Sequence, residues 1–180
     1  EQDVLVYERP DLPTWFINAS VSEDGRYLFV YMAKGADSRN RLYVGDLGDP
    51  MAPNVSAPPS PVVEEDDGEF AVIGSVGSTL YVSTDLGAPR RKVVAISLAD
   101  RARARWRTII PEGTHTIEQV HLTKTHLVVT RLIDVRGDLS LFTLDGKAAG
   151  KVSLPGIGTV AGVSASRDYS GFYYAFTSPL

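Results

Sequence analysis

The sequence predicts an all-β chain, a β-propeller fragment of about three and a half four-stranded antiparallel blades. Three observations carry this. Four segments repeat one outline, an extended apolar run closely followed by a second: 25–47, 77–98, 124–146 and 170–180, the last stopping after its first run. Aligning Leu28, Leu80, Leu127 and Phe172 gives spacings of 52, 47 and 45 residues, and a period near 45 with four strands in each is how propeller blades read. The runs are made of Val, Ile, Leu, Tyr, Phe and Thr, punctuated by Gly, Asp, Asn and Pro, which is strand-and-turn chemistry.

Taken in order, each pair of runs has a further short extended stretch before it: "TWFINASVS", "EFAVIGSVG", "IEQVHLT" and "GTVAGVSAS". The first pair, inside "SEDGRYLFVYMAKGADSRNRLYVGDL", reads as an Asp-Gly turn, a strand, a charged turn region of nine residues and a second strand. Outer fourth strands fit "ARWRTIIP" (104–111) and "AAGKVSL" (148–154). After the first pair the outer stretch "PPSPVVEED" is weak, because proline cannot donate to a ladder and suits only an edge strand or a loop. Helical periodicity is scarce; "ISLADRARARWR" has a helix-compatible composition, but its flanking strands favour a turn. The resulting division is blades at about 12–63, 68–112 and 115–155, with an incomplete one at 156–180. A β-sandwich also has short, regularly spaced strands, but not a four-strand super-period.

Bulk composition narrows the function classes. The 180 residues include 43% hydrophobic and 22% charged, ordinary for a folded domain. A formal charge of −4 gives no electrostatic reason to expect nucleic acid or an anionic membrane. No cysteine is present, which excludes thiol catalysis and thiolate metal sites and fits a reducing compartment. Cytoplasm and periplasm both stay open. No run of about 18 apolar residues exists to span a bilayer as a helix. The opening "EQDVLVYERPDLPTW" has no initiator Met, basic n-region or apolar h-region, and reads as the start of a piece from something longer. Frequent Arg, Ala and Gly point to a bacterial source.

No catalytic constellation is complete. The nearest approach to a nucleophile elbow is "GVSAS" around Ser164, which lacks the second glycine and falls in a predicted strand. His115, His121 and His126 are close in sequence, but a tight turn separates the last two, and Glu118 lies on the opposite strand face from His121. Solvated or cross-strand histidines are the expectation. The acidic run "EEDDGE" (64–69) lacks the alternating spacing and terminal bidentate Glu of a calcium loop, and reads as a solvated loop. "RARARWR" would place Arg101, Arg103, Arg105 and Arg107 on one face if extended, a stripe that normally faces water. Asn18 and Asn54 begin formal glycosylation triplets, frequent by chance. No metal and no cofactor is expected.

Several stretches carry a family resemblance. "DGRYLFVYMAKGADSRNRLYVGDL", "DLPTWFINASVSEDGRY", "WRTIIPE", "LIDVRGDLSLFTLDG" and "GTVAGVSASRDYSGFYYAFTSPL" resemble, in the right order, the later half of the propeller of the prolyl oligopeptidase (prolyl endopeptidase) family. The resemblance implies a seven-bladed ring inserted between parts of an α/β-hydrolase domain, whose Ser, Asp and His lie downstream of the "FTS" motif. The hydrolase domain is then absent from this chain, which should turn over no peptide by itself. The ring acts as a filter that admits short proline-containing peptides to a buried chamber. The family's S3-lining apolar residue just after a Trp matches Phe16. Its R-E-G-C turn toward the hydrolase domain matches "AKGA", with Ala33 and Ala36 at the family's Arg and Cys positions around Gly35. For Phe16, packing against Trp15 or a neighbouring blade is an equal alternative. The partners implied are the hydrolase domain of the parent chain and peptides. A separate scaffold that binds a protein on its rim is the competing class, and open sheet faces imply that the fragment self-associates.

Overall fold

The computed structural model describes residues 4–178, so the predicted end of the last run at Pro179 and Leu180 lies outside the described residues. Among the described residues, fourteen strands form four antiparallel sheets. The first contains β1 (Trp15–Val21), β2 (Tyr27–Lys34), β3 (Asn40–Asp46) and β4 (Ser60–Val63). The second contains β5 (Phe70–Val76), β6 (Thr79–Thr84), β7 (Lys92–Ser97) and β8 (Arg107–Ile110), and the third β9 (Ile117–Leu122), β10 (His126–Ile133), β11 (Arg136–Thr143) and β12 (Ala148–Lys151). A two-stranded sheet of β13 (Thr159–Ala165) and β14 (Phe172–Thr177) completes the set. Each sheet is a meander in chain order, as a partial β-propeller requires. Among the described residues no helix is long and apolar enough to cross a membrane.

Two compact units divide the chain, residues 1–70 and 71–180. In the first, half of β2 is fully buried while β1 is exposed from Phe16 onward. Val30, Met32 and Tyr43 form a core on one face, against Tyr7, Trp15 and Leu28. The Asp-Gly turn before β2 closes as expected: Gly25 adopts φ +74, and the Ser22 N–H donates to the Tyr27 carbonyl at 2.8 Å. The charged turn is shorter than nine residues. Pairing of β2 with β3 runs from Tyr27↔Asp46 to Ala33↔Asn40, leaving residues 34–39 outside it. "SPVV" does form an outer strand, with Pro61 opposite Tyr43; an edge position tolerates its missing donor.

In the second unit, a cluster from two sheets supplies the core. Tyr81, Val93, Ala95, Ile109 and Ile110 meet Ile117, Leu122, Leu127 and Val129, all buried. Fully burying such an aliphatic side chain contributes about 1.5–3 kcal/mol. The Tyr81 hydroxyl donates to the Leu144 carbonyl at 3.2 Å, joining the same two sheets. The third and fourth sheets meet where the Gly137 N–H donates to the Gly158 carbonyl at 2.8 Å and the Lys124 N–H to that of Tyr169 at 2.9 Å. The outer strand expected at 104–111 starts only at Arg107, because Arg103–Arg105 make one 3-10 turn, tied down by the Trp106 indole N–H on the Arg101 carbonyl at 2.9 Å. The four arginines therefore do not share a strand face.

Gly146 controls the approach of the loop after β11. Its φ is +91, and a Cβ there would stand 2.1 Å from the Ile109 carbonyl oxygen. Gly87, at φ +58, has open space around the same position. Gly146→Ala should cost at least about 2 kcal/mol through overpacking and backbone strain together. Gly87→Ala should cost about half as much. Calorimetry on the pair checks this: the melting temperature should fall by roughly 5–10 °C for the first and clearly less for the second.

Candidate functional site

β1 and β2 pair from Trp15↔Lys34 to Val21↔Leu28, and this register sets Phe16 directly opposite Ala33. Phe16 is 64% exposed. Because successive strand side chains point to opposite faces, Trp15 lies on the other side and Phe16 does not pack against it. Beyond Ala33 the chain turns at Gly35, whose φ of +59 is the left-handed conformation glycine adopts without strain. Ala36 is exposed, and the Asp37 N–H donates back to the Lys34 carbonyl at 3.2 Å. Phe16, Ala33, Gly35 and Ala36 thus collect at one end of the first sheet.

The loop carries its own ion pair. Arg39 Nη2 stands 2.5 Å from Asp37 Oδ2, and the Arg39 backbone N–H donates to Oδ1 at 3.0 Å. The Arg39 side chain, followed by that N–H, pulls the Asp37 carboxyl down to about 2. Next to the loop, the buried Asn40 amide donates to the Phe70 carbonyl at 3.1 Å and accepts from the Phe70 N–H at 2.8 Å, pinning the start of β3. Phe16, Ala33, Gly35 and Ala36 form an apolar, small-residue part of this sheet end beside the Asp37–Arg39 pair. It suits contact with an apolar side chain.

Behind it, on the Trp15 face, lies a set of contacts the sequence reading did not find. Arg41 stacks its guanidinium 4.4 Å from the Trp15 ring centroid and grips Asp66 through Nε–Oδ1 at 2.8 Å and Nη2–Oδ2 at 3.2 Å. Arg9 donates to the Tyr43 hydroxyl at 3.2 Å, and that hydroxyl donates to Glu64 at 2.9 Å. Burial, then the Glu64 hydrogen bond, pushes the Tyr43 phenol above its usual range. Two members of the acidic run are therefore ion-pair and hydrogen-bond partners and not just solvated.

The other candidates stay apart. Ser164 is an exposed strand residue opposite Tyr173, with no strand-to-helix turn. The His121 ring meets Gln119 at 3.3 Å and its pKa is lowered by burial, while His126 meets Thr125 at 2.8 Å. His115 lies in a shallow pocket with Thr114, Thr116, Glu118 and Leu132. Among the described residues no cluster of three or more His, Asp or Glu side chains could hold a metal ion. Asn18 lies in β1 opposite Tyr31, and Asn54 is exposed in a loop.

The model of the family described as "Prolyl oligopeptidase, N-terminal beta-propeller domain" matches residues 1–180. The chain belongs to that family. It is 27% identical to the prolyl endopeptidase of Elizabethkingia meningoseptica over 177 residues, which is 98% of this chain and 24% of that protein. With the dual function macrocyclase-peptidase POPB of Galerina marginata it shares 35% identity over 112 residues, 62% of this chain and 15% of the relative. Among solved structures, prolyl oligopeptidase B of Galerina marginata without ligand superposes with a TM-score of 0.87 at 25% identity, covering 98% of this chain and 25% of that one. A prolyl endopeptidase structure from work on inter-domain dynamics in catalysis and specificity superposes at 0.86 with 30% identity, covering 96% of this chain and 25% of its own. The chain spans about a quarter of the length of these relatives. They come from Elizabethkingia and from fungal genera such as Galerina, so they favour no single source for this propeller.

The Asp37 assignment is directly testable. A carboxyl held down in the folded state stabilises it above the unfolded pKa of about 3.9, and the contribution disappears as pH falls through the folded value. A carbon-detected NMR titration should place the Asp37 midpoint at about 2. In Arg39→Ala it should return toward about 3.9.

Proposed function

We propose that this propeller segment is the substrate-filtering part of a prolyl endopeptidase, a serine peptidase that cleaves short peptides after proline. In this reading the nucleophile, base and acid come from a hydrolase domain elsewhere in the parent chain. Phe16 lines the S3 subsite, and Ala33, Gly35 and Ala36 form the loop facing that domain. The observation that carries the proposal is the register placing Phe16, exposed, opposite Ala33 at the end of a sheet whose whole chain matches the prolyl oligopeptidase propeller. An aromatic ring beside two alanines offers a broad apolar wall for a third side chain of a peptide. Prolyl oligopeptidase B of Galerina marginata, a structural neighbour, has been solved with a 35mer hydrolysis and macrocyclization substrate, which supports peptides as the ligand class.

In the full-length enzyme, Phe16→Ala should lower kcat/KM by about 1–3 kcal/mol for substrates long enough to reach S3 and leave shorter ones nearly unchanged. Steady-state kinetics over a length series reads this out. Equal losses at every length, with a lowered melting temperature, would assign Phe16 to packing.

As a separate chain, these residues should also associate with a second copy. Strand β14, "FYYAFT", pairs only with β13 among the described residues and carries neither charge nor proline to discourage a further strand. Beside it lies a groove of about 620 Å³, and Tyr169 and Tyr173 are 71% and 84% exposed. Light scattering over a tenfold dilution should show a mass above the 19.5 kDa monomer that falls toward it on dilution. A constant monomer mass at high concentration would refute edge pairing.

A further inference from the structure

Strand β1 is an edge strand. Among the described residues its one hydrogen-bonded neighbour is β2, and every residue from Phe16 to Val21 is exposed. Little apolar burial therefore holds the segment that carries Phe16, and an edge strand so placed opens readily at its ends. What holds its first residue is on the opposite face. Arg41, two strands away on β3, reaches across β2 to stack on Trp15, and Asp66, in the loop after β4, fixes the guanidinium with two bonds. The side chains of Arg41 and Asp66 are 22% and 44% exposed, so solvent screens the pair only in part. The planar fork of Arg allows stacking and bidentate pairing at the same time, which an ammonium group cannot match. A turn reinforces the same point, since the Trp15 N–H donates to the Leu12 carbonyl at 3.1 Å.

We infer that Asp66, Arg41 and Trp15 form a clamp that positions Phe16, making Arg41 and Asp66 specificity-determining residues that never touch the peptide. Side chains alternate across a strand, so holding the Trp15 indole on one face fixes where Phe16 projects on the other. Releasing the clamp lets the start of β1 fray and spreads Phe16 over several directions, which weakens a subsite that depends on one direction. This inference rests on the S3 reading of Phe16, and its test separates the two.

The clamp itself is read by hydrogen exchange on the 180-residue chain, with no substrate involved. Arg41→Gln and Asp66→Asn should each speed exchange of the β1 amides about tenfold and leave those of β10 unchanged, and Asp66→Glu should restore much of the protection. Unchanged β1 exchange overturns the clamp. In the full-length enzyme the same variants should lower kcat/KM about three- to tenfold for peptides that reach S3, chiefly through KM, with short substrates and kcat unaffected. If Phe16→Ala shows the length-dependent loss and the clamp variants do not, the positioning role is overturned while the subsite stands. If Phe16→Ala is itself without effect, the subsite reading fails and the positioning role with it, whatever the exchange data show.

Discussion

Ile109, Ile117, Leu122 and Leu127 meet at the seam between the second and third sheets, and Gly146 lets the following loop close onto the Ile109 carbonyl. The rest of the second unit depends on that seam. Strands β6 and β7 are buried along most of their length and β10 along half of it, which a meander alone cannot achieve, because both of its faces would stay wet. Only sheet packed on sheet removes both faces from water. Close approach then demands residues without side chains at the contact. Gly74 against Leu122 and Gly137 against Val160 repeat the solution, a Cβ there falling within 3 Å of its neighbour.

Such packing leaves little interior polar chemistry. Buried polar side chains among the described residues are mostly Ser and Thr within strands, and they serve the sheet. Chemistry is displaced to strand ends and edges. There the arginines pair with carboxylates instead of pointing freely at solvent: Arg39 with Asp37, Arg41 with Asp66, Arg9 with Asp11. Pairs that solvent reaches, even in part, add little to global stability. They do hold loops and strand ends in defined places.

Strand composition, the 45-residue period and the Asp-Gly turn made the all-β propeller legible, because apolar alternation and turn chemistry are local properties written into neighbouring residues. Phe16 and the 33–36 loop were legible as motif positions. The cross-strand pairing of Phe16 with Ala33 was not, since register depends on hydrogen bonds between distant segments. Alternation would make an arginine stripe of 101–107 only if that stretch were extended, and the structure has a 3-10 turn there, anchored by Trp106. The weak "SPVV" became a strand because β3 offered it a partner at an edge where proline's missing donor costs nothing.

By itself, the sequence determined the fold class, the order of strands and the absence of cysteine chemistry, since these follow from residue type and spacing alone. Tertiary structure alone decided which charges pair. Arg41 and Asp66 are 25 residues apart, and no local rule relates a β3 arginine to a carboxylate in a later loop or to the indole of a strand on the far side of β2. Three-dimensional proximity at a sheet end made them one group, because the antiparallel meander returns each strand end to the same place.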